Sequence, residues 1–364
     1  MDALNKIIKS RYFYLYLLAA LNLLVAYFYV QKPFQNYSDS YIYYDAMTYL
    51  RGDETAASPI VFNMILRAPF MLYLTLFFNY FIDSLPWSMM VINIIFYILI
   101  IYIFYQIVFE IYKDHKTAAL SSVLLFSNYI MFSYGTAFLI DMGGWFFFIL
   151  SSFFAIKYYN DDSRRKYYFI AAALSLIGVF FKETGALGLI TLAMLILLSG
   201  FSFKRKVKEI IFAGALVFAP LLIYHIWFYL KFDLTYFYSF IYDLQISASA
   251  PAAAGINFLT YAFIHFIKVM AWLYSIGWAL FLFGMWQEKR FFDFQRSKIL
   301  LAMLPASLTF LVWPQLVQRV AFIFVPWLAL TSGFGLSKVK NRFLIAGILA
   351  LYLLTNYLIA HRVA

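Results

Sequence analysis

PWSMMVINIIFYILIIYIFYQIVF, residues 86–109, is an apolar run without a single charge. A helix needs about 20 mainly apolar residues to cross the hydrocarbon core of a bilayer, and this run meets that length. The same reading, carried in both directions, places spans near 12–30, 86–109, 117–135, 140–158, 167–181, 184–201, 209–230, 259–286, 298–313, 320–336 and 343–360. The stretch 60–82 is also apolar, but Arg67, Pro69, Asn79 and Asp83 interrupt or end it. It reads as a helix lying at the interface. The expected fold is an all-α polytopic membrane protein with about eleven transmembrane helices and interfacial helices in the first outer loop. The whole of 1–364 forms one transmembrane domain in this reading, with outer loops at 31–85 and 231–258.

Composition agrees with the spans. Of 364 residues, 65% are hydrophobic and only 12% charged, with a mean hydropathy of +0.81, which lies far outside the range of soluble domains. Cysteine is absent, so a disulfide framework, a thiolate metal site and a cysteine nucleophile are excluded. The N-terminal basic residues followed by a span resemble a signal peptide, but the run lacks a clear small-residue cleavage site and reads as a retained helix.

Basic residues set the orientation. With the N-terminus cytoplasmic, all but eight of the 28 Lys and Arg residues fall on the inner side. The eight exceptions are Lys32, Arg51, Arg67, Lys182, Lys231, Lys268, Arg319 and Arg362. This is a strong positive-inside bias, and it accounts for the net charge of +11 without any nucleic-acid partner. The expected location is the plasma (inner) membrane. Cytoplasmic connections such as DDSRRK (161–166) are short and carry no Gly-rich phosphate loop, which argues against a nucleotide donor from that side.

The outer side carries different residues. The loop after the first span reads YSDSYIYYDAMTYLRGDE (37–54), with Asp39, Asp45, Asp53 and Glu54. Asp141 lies in FLIDMGG, Lys182 and Glu183 in FFKETGAL, and Arg319 in WPQLVQRVAF. Hydrophobicity alone placed the spans, yet the topology brings these acids and cations to one membrane face. Intramembrane and interfacial charges of this kind mark pathways or chemistry. Asp53 and Glu54 beside Gly52 read as a turn. A carboxylate that accepts a hydroxyl proton and cations that stabilise a departing phosphate together suit glycosyl transfer from a lipid-borne donor. Metal ligation is poorly supported, because the four His are dispersed and no HExxH occurs; a hard divalent cation on Asp39, Asp45 and Asp141 is the one arrangement the acids allow. No cofactor is expected.

The order of these pieces resembles the GT-C glycosyltransferases, a superfamily that includes protein O-mannosyltransferases and lipid A aminoarabinose transferases. Asp39, Tyr43, Ala46, Leu50 and Gly52 are similar to the D-x-x-x-Y-x-x-A-x-x-x-L-x-G pattern of their first outer loop. Arg67-Ala68-Pro69 resembles the R-x-P before an apolar helix, and Asp141 the acid at the start of the fourth span. Lys182-Glu183 resembles the turn after the fifth span, and Arg319 with Pro326 a late Arg–Pro element. Many relatives carry Asp-Glu in the first motif, whereas Ser40 follows Asp39 here. The resemblance implies an inverting transfer from a polyprenyl-phosphate sugar to a lipid, glycan or protein hydroxyl. Asp39 would be the base, and Lys182, Arg319 and Arg67 would hold the donor phosphate. Asp45, Asp141, Glu183 and Tyr43 would bind the acceptor or the sugar. Two other readings remain: a transporter or flippase of a lipid-linked sugar, and a ligase or polymerase of surface polysaccharide.

Overall fold

The computed structural model describes residues 38–238, 241, 258–313 and 317–363. The expected span at 12–30 and most of the second outer loop lie outside the described residues. The helices run in order as α1 (Ser38–Leu50), α2 (Pro59–Arg67), α3 (Pro69–Ile82), α4 (Leu85–Tyr112), α5 (His115–Phe126), α6 (Tyr129–Gly135), α7 (Asp141–Asn160) and α8 (Lys166–Phe181). They continue as α9 (Leu187–Leu198), α10 (Phe203–Phe232), α11 (Phe258–Tyr274), α12 (Gly277–Arg290), α13 (Phe294–Leu308), α14 (Val325–Ser337) and α15 (Arg342–Val363). No strand occurs among the described residues.

Local chemistry explains the boundaries. Ser58, Asp114, Asn128, Ser202 and Asp293 each accept a hydrogen bond from an amide of the first turn that follows, which satisfies donors that a helix start leaves open. Pro69 removes an amide and restricts the residue before it. Ala68 accordingly leaves the helical region at φ −140° and ψ 46°, and α2 and α3 meet at 93°. The segment expected to be one interfacial helix is thus a sharply bent pair. A similar bend of 78° separates α11 from α12, at Ser275 with φ 43°, inside what reads as a single span at 259–286.

Four stretches among the described residues are long and apolar enough to cross a membrane: Leu85–Tyr112, Phe203–Phe232, Gln318–Ser337 and Arg342–His361. Each bent pair adds at most one more. The remaining expected spans coincide with shorter or less apolar helices. The span at 117–135 is divided into α5 and α6 at Ser127 and Asn128. The spans at 167–181 and 184–201 are α8 and α9, of 16 and 12 residues, with the Lys182-Glu183 turn between them.

The centre of the molecule is α7, which packs against α8, α4 and α9, while α14 packs between α12 and α5. Glycines allow the closest approaches. A Cβ on Gly144 of α7 would stand 2.2 Å from Thr184 Oγ1 and 2.8 Å from Lys182 Cβ. A Cβ on Gly185 would stand 2.3 Å from the Gly178 backbone. The Lys182–Gly185 turn is therefore pressed onto the first turn of α7, next to Asp141.

Candidate active site

Six charged side chains from five regions of the chain form one alternating series. Arg319, just before α14, hydrogen bonds to Asp39 in the first turn of α1. The same guanidinium stands 3.9 Å from the Asp141 carboxylate. Lys182 Nζ reaches the other Asp141 oxygen at 2.5 Å. Glu183, the next residue, pairs with Arg67 at the end of α2. Acid and cation therefore alternate as Asp39, Arg319, Asp141, Lys182, Glu183 and Arg67, with three of each sign. Isolated charges cost far too much in a low-dielectric interior unless each is paired, and here every one is.

The members differ in depth. The Asp141 side chain is only 1% exposed and Lys182 8%, whereas Asp39 is 27% and Arg319 22% exposed. The Asp39–Arg319 pair thus forms the open end and the Asp141–Lys182 pair the buried one. Two buried carboxylate oxygens, Asp141 Oδ2 and Glu183 Oε2, accept no hydrogen bond from the described residues. Burial by itself would raise the Glu183 pKa, but the Arg67 charge, aided by Lys182, outweighs it and holds this carboxyl below the usual range.

Neutral side chains fix the frame. Tyr43 lies one turn after Asp39 on the same face of α1, fully buried. Burial and the neighbouring Asp39 charge hold its phenol well above the usual range, so it keeps its proton. Ser40 Oγ donates to the Phe138 carbonyl at 3.0 Å, tying α1 to the segment that leads into Asp141. Asn93, within α4, donates to the Ala137 and Leu139 carbonyls at 2.8 Å each. Trp145, one turn into α7, packs its ring on Phe322 at 4.0 Å between centroids. The segment before α7 is thereby fixed from two sides.

Of the residues expected from the sequence, Asp39, Tyr43, Arg67, Asp141, Lys182, Glu183 and Arg319 come together in this cluster. Asp45 does not. Six residues after Asp39, it falls on the exposed face of α1 and forms no ion pair among the described residues. Asp53 caps a turn, accepting from the Thr55 amide at 3.0 Å and hydroxyl at 2.6 Å. Among the described residues, no three His, Asp or Glu side chains converge in a group able to hold a metal ion. Asn93 was not singled out by sequence, where a lone Asn inside a charge-free apolar run was the available signal; Ser40 was noted there only as a departure from the Asp-Glu pattern.

A family model described as dolichyl-phosphate-mannose-protein mannosyltransferase matches residues 66–227, the stretch that carries Arg67, Asp141, Lys182 and Glu183. ArnT from Cupriavidus metallidurans, bound to undecaprenyl phosphate, is similar in structure with a TM-score of 0.62 and 14% identity. That match covers 94% of this chain and 63% of ArnT. The likeness to ArnT is one of fold. Two structures of the Archaeoglobus fulgidus oligosaccharyltransferase are similar in fold as well. One is in complex with Zn and sulfate, with a TM-score of 0.51, 16% identity, and coverage of 81% of this chain and 44% of that one. The other, AglB with an inhibitory peptide and a dolichol-phosphate, has a TM-score of 0.50, 14% identity and coverage of 81% and 47%. The chain thus spans less than two thirds of each of these proteins. No curated protein sequence matches it.

Proposed function

We propose that this chain is an inverting glycosyltransferase that moves a sugar from a polyprenyl-phosphate donor to an acceptor hydroxyl at the extracytoplasmic face. The observation that carries the reading is the contact of Asp39 with Arg319, which itself reaches the Asp141–Lys182 pair. One partly exposed carboxylate and two cations thereby share a single network. The GT-C fold, the family model over 66–227 and the lipid phosphates held by the ArnT and AglB structures support a lipid-linked donor.

In this mechanism the acceptor oxygen attacks the anomeric carbon from the face opposite the phosphate. Asp39 takes the hydroxyl proton as the new C–O bond forms. The bond from the anomeric carbon to the phosphate oxygen breaks, and its electron pair leaves with the lipid phosphate. Arg319 and Lys182 stabilise that charge, with Arg67 a further holder. Asp141 and Glu183 are the further candidates for binding sugar or acceptor hydroxyls; their unpartnered oxygens are buried, so a hydroxyl reaches them only when the network opens. Tyr43, protonated and buried beneath Asp39, orients the carboxylate. Asp45 is the weakest of the acceptor-binding candidates, because it faces away.

The test is Asp39→Asn, assayed with a polyprenyl-phosphate sugar. Loss of a positioned general base costs about 10²–10⁴ in rate. Asp39 lies at the open end of the network, so the variant is expected to fold while transfer falls by that factor. Full transfer by folded Asp39→Asn protein would remove the basis of the assignment.

A further inference from the structure

α7 and α8 run between two poles of the molecule. Asp141 and Lys182 lie at one pole, and Tyr158 and Arg165 at the other. At 1.5 Å per residue these poles are about 25 Å apart. At the second pole a cavity of about 470 Å³ opens between the first turns of α8 and α10. Four cations line it, Arg165, Lys204, Arg205 and Lys208, against a single acid, Glu209.

Part of this cluster is already neutralised. Arg205 Nε donates to Glu209 at 2.9 Å and its Nη2 to Asp162 at 3.0 Å. Its guanidinium also lies 3.5 Å over the Phe201 ring. The Tyr158 hydroxyl donates to the other Glu209 oxygen at 2.7 Å. These contacts build a rigid floor. Arg165, Lys204 and Lys208 are exposed, and none of them forms an ion pair among the described residues. Three uncompensated cations therefore face one cavity, at the positive ends of two helices.

The wall beside these cations is apolar. Phe169 and Phe212 line the cavity and are 46% and 47% exposed. Ile211, the residue before Phe212 and outside the lining, is 65% exposed, and only 11% of the apolar stretch of α10 is buried within the protein. A soluble anion has no use for such a wall, whereas a phospholipid needs both parts. Basic pockets between membrane helices at an interface recognise lipid head groups.

We propose that this cavity binds the phosphate head group of an anionic phospholipid, of the phosphatidylglycerol type, with its acyl chains lying along Phe169, Phe212 and Ile211. Lys204, Lys208 and Arg165 contact the phosphate. The site is distinct from the Asp39 network, and it stands whether or not the proposed transfer activity does.

The experiment is native mass spectrometry of the full chain in detergent, titrated separately with phosphatidylglycerol, with phosphatidylcholine of the same acyl chains, and with inorganic phosphate. The wild type is expected to retain phosphatidylglycerol in preference to phosphatidylcholine. Each neutralised cation is expected to weaken that binding about fivefold, and Arg165→Ala/Lys204→Ala/Lys208→Ala together roughly a hundredfold. Lys204→Arg/Lys208→Arg is expected to keep it. Lys289→Ala/Arg290→Ala, which removes two exposed cations from the end of α12, is expected to leave it unchanged. The single variants carry the test if the triple variant does not fold. An unchanged preference in folded cavity variants, or an equal loss in the α12 control, overturns the proposal. Displacement of phosphatidylglycerol by an equal concentration of inorganic phosphate overturns it as well, by showing a free-anion site.

Discussion

Lys182→Met and Asp141→Asn, made singly and together, separate the two tasks the network assigns to Lys182. Both substitutions keep side-chain size while removing charge. The Lys182→Met change strands Asp141, whose side chain is 1% exposed, with only the Arg319 contact at 3.9 Å. Breaking a buried pair from one side costs about 3–5 kcal/mol, and the remaining Arg319 contact places this case near the low end, about 3 kcal/mol. Asp141→Asn strands Lys182 beside Glu183 at a similar cost. Independent effects would sum to about 6 kcal/mol, whereas a paired site predicts that the double variant costs no more than either single one. The cycle then returns a coupling of about 3 kcal/mol, at the upper end of values for residues in contact. Reversible unfolding in mixed micelles followed by circular dichroism reads this directly. Transfer assays on the double variant read the second task. If Lys182 also stabilises the departing phosphate, the folded double variant still loses about 10²–10³ in turnover. Additive penalties would refute the pairing. Wild-type turnover in the double variant would refute the phosphate role and leave Lys182 a counter-ion only.

Two further outcomes follow from the frame around the network. Asn93→Ala removes the side-chain donor to the Ala137 and Leu139 carbonyls. Ala137 keeps the Leu139 amide as a donor at 2.9 Å, so the loss falls on the Leu139 carbonyl and is expected to cost about 1–3 kcal/mol; an unfolding curve superimposable on wild type contradicts this. The Glu183 carboxyl titrates below the usual range in the fold, so its stabilising effect is complete above about pH 4.3, the ordinary glutamate value. It is lost as pH falls through the lower folded value, with a slope of at most about 1.4 kcal/mol per pH unit. Glu183→Gln is expected to flatten Tm against pH in that acid window, and an unchanged slope in the variant would argue against the Arg67 pairing as its source.

The apolar runs were legible because membrane spans announce themselves by length and absence of charge. Breaks within them were not. Between α5 and α6 the chain turns inside what reads as one span, and its freed backbone groups find distant partners. The Tyr129 amide donates to Asn356 Oδ1 at 2.9 Å, and the Asn128 side chain in turn donates to the Leu273 carbonyl near the end of α11 at 2.8 Å. A break at membrane depth is tolerable only when such partners exist, and a partner more than two hundred residues away has no local signature. The 93° bend at Pro69 did have one, since proline and its predecessor both resist continuing a helix.

The site was legible as a set of charges on one face, but not as a network. Nothing local links Lys182 to Asp141 or Arg319 to Asp39; tertiary packing decides both. The position of Asp45 was readable in principle. A separation of six residues along a helix places it well away from the Asp39 face, whereas Tyr43, four residues on, must share that face. Ser40 shows the opposite case. Where the motif it resembles has Asp-Glu, this chain has a hydroxyl, and that hydroxyl anchors α1 to Phe138 instead of adding charge.

The balance of three acids and three cations constrains how a donor can bind under the proposed mechanism. A phosphate entering a neutral network adds negative charge, so it must compete with a resident carboxylate for a cation. Three pairs are candidates; Glu183–Arg67, 12% and 15% exposed, is intermediate in depth, which leaves Asp141–Lys182 and Asp39–Arg319 as the extremes. The former is almost fully buried, and separating it would strand a carboxylate that water cannot reach. The latter has side chains 27% and 22% exposed, so Asp39 released from Arg319 is partly rehydrated and costs far less. Donor arrival therefore opens the Asp39–Arg319 contact first. Release from Arg319 turns the Asp39 oxygen that accepts from that guanidinium toward the acceptor hydroxyl, and it does so only when the phosphate is in place. The resting ion pair thus restrains Asp39 until the leaving group is held, which ties proton removal to the presence of a donor.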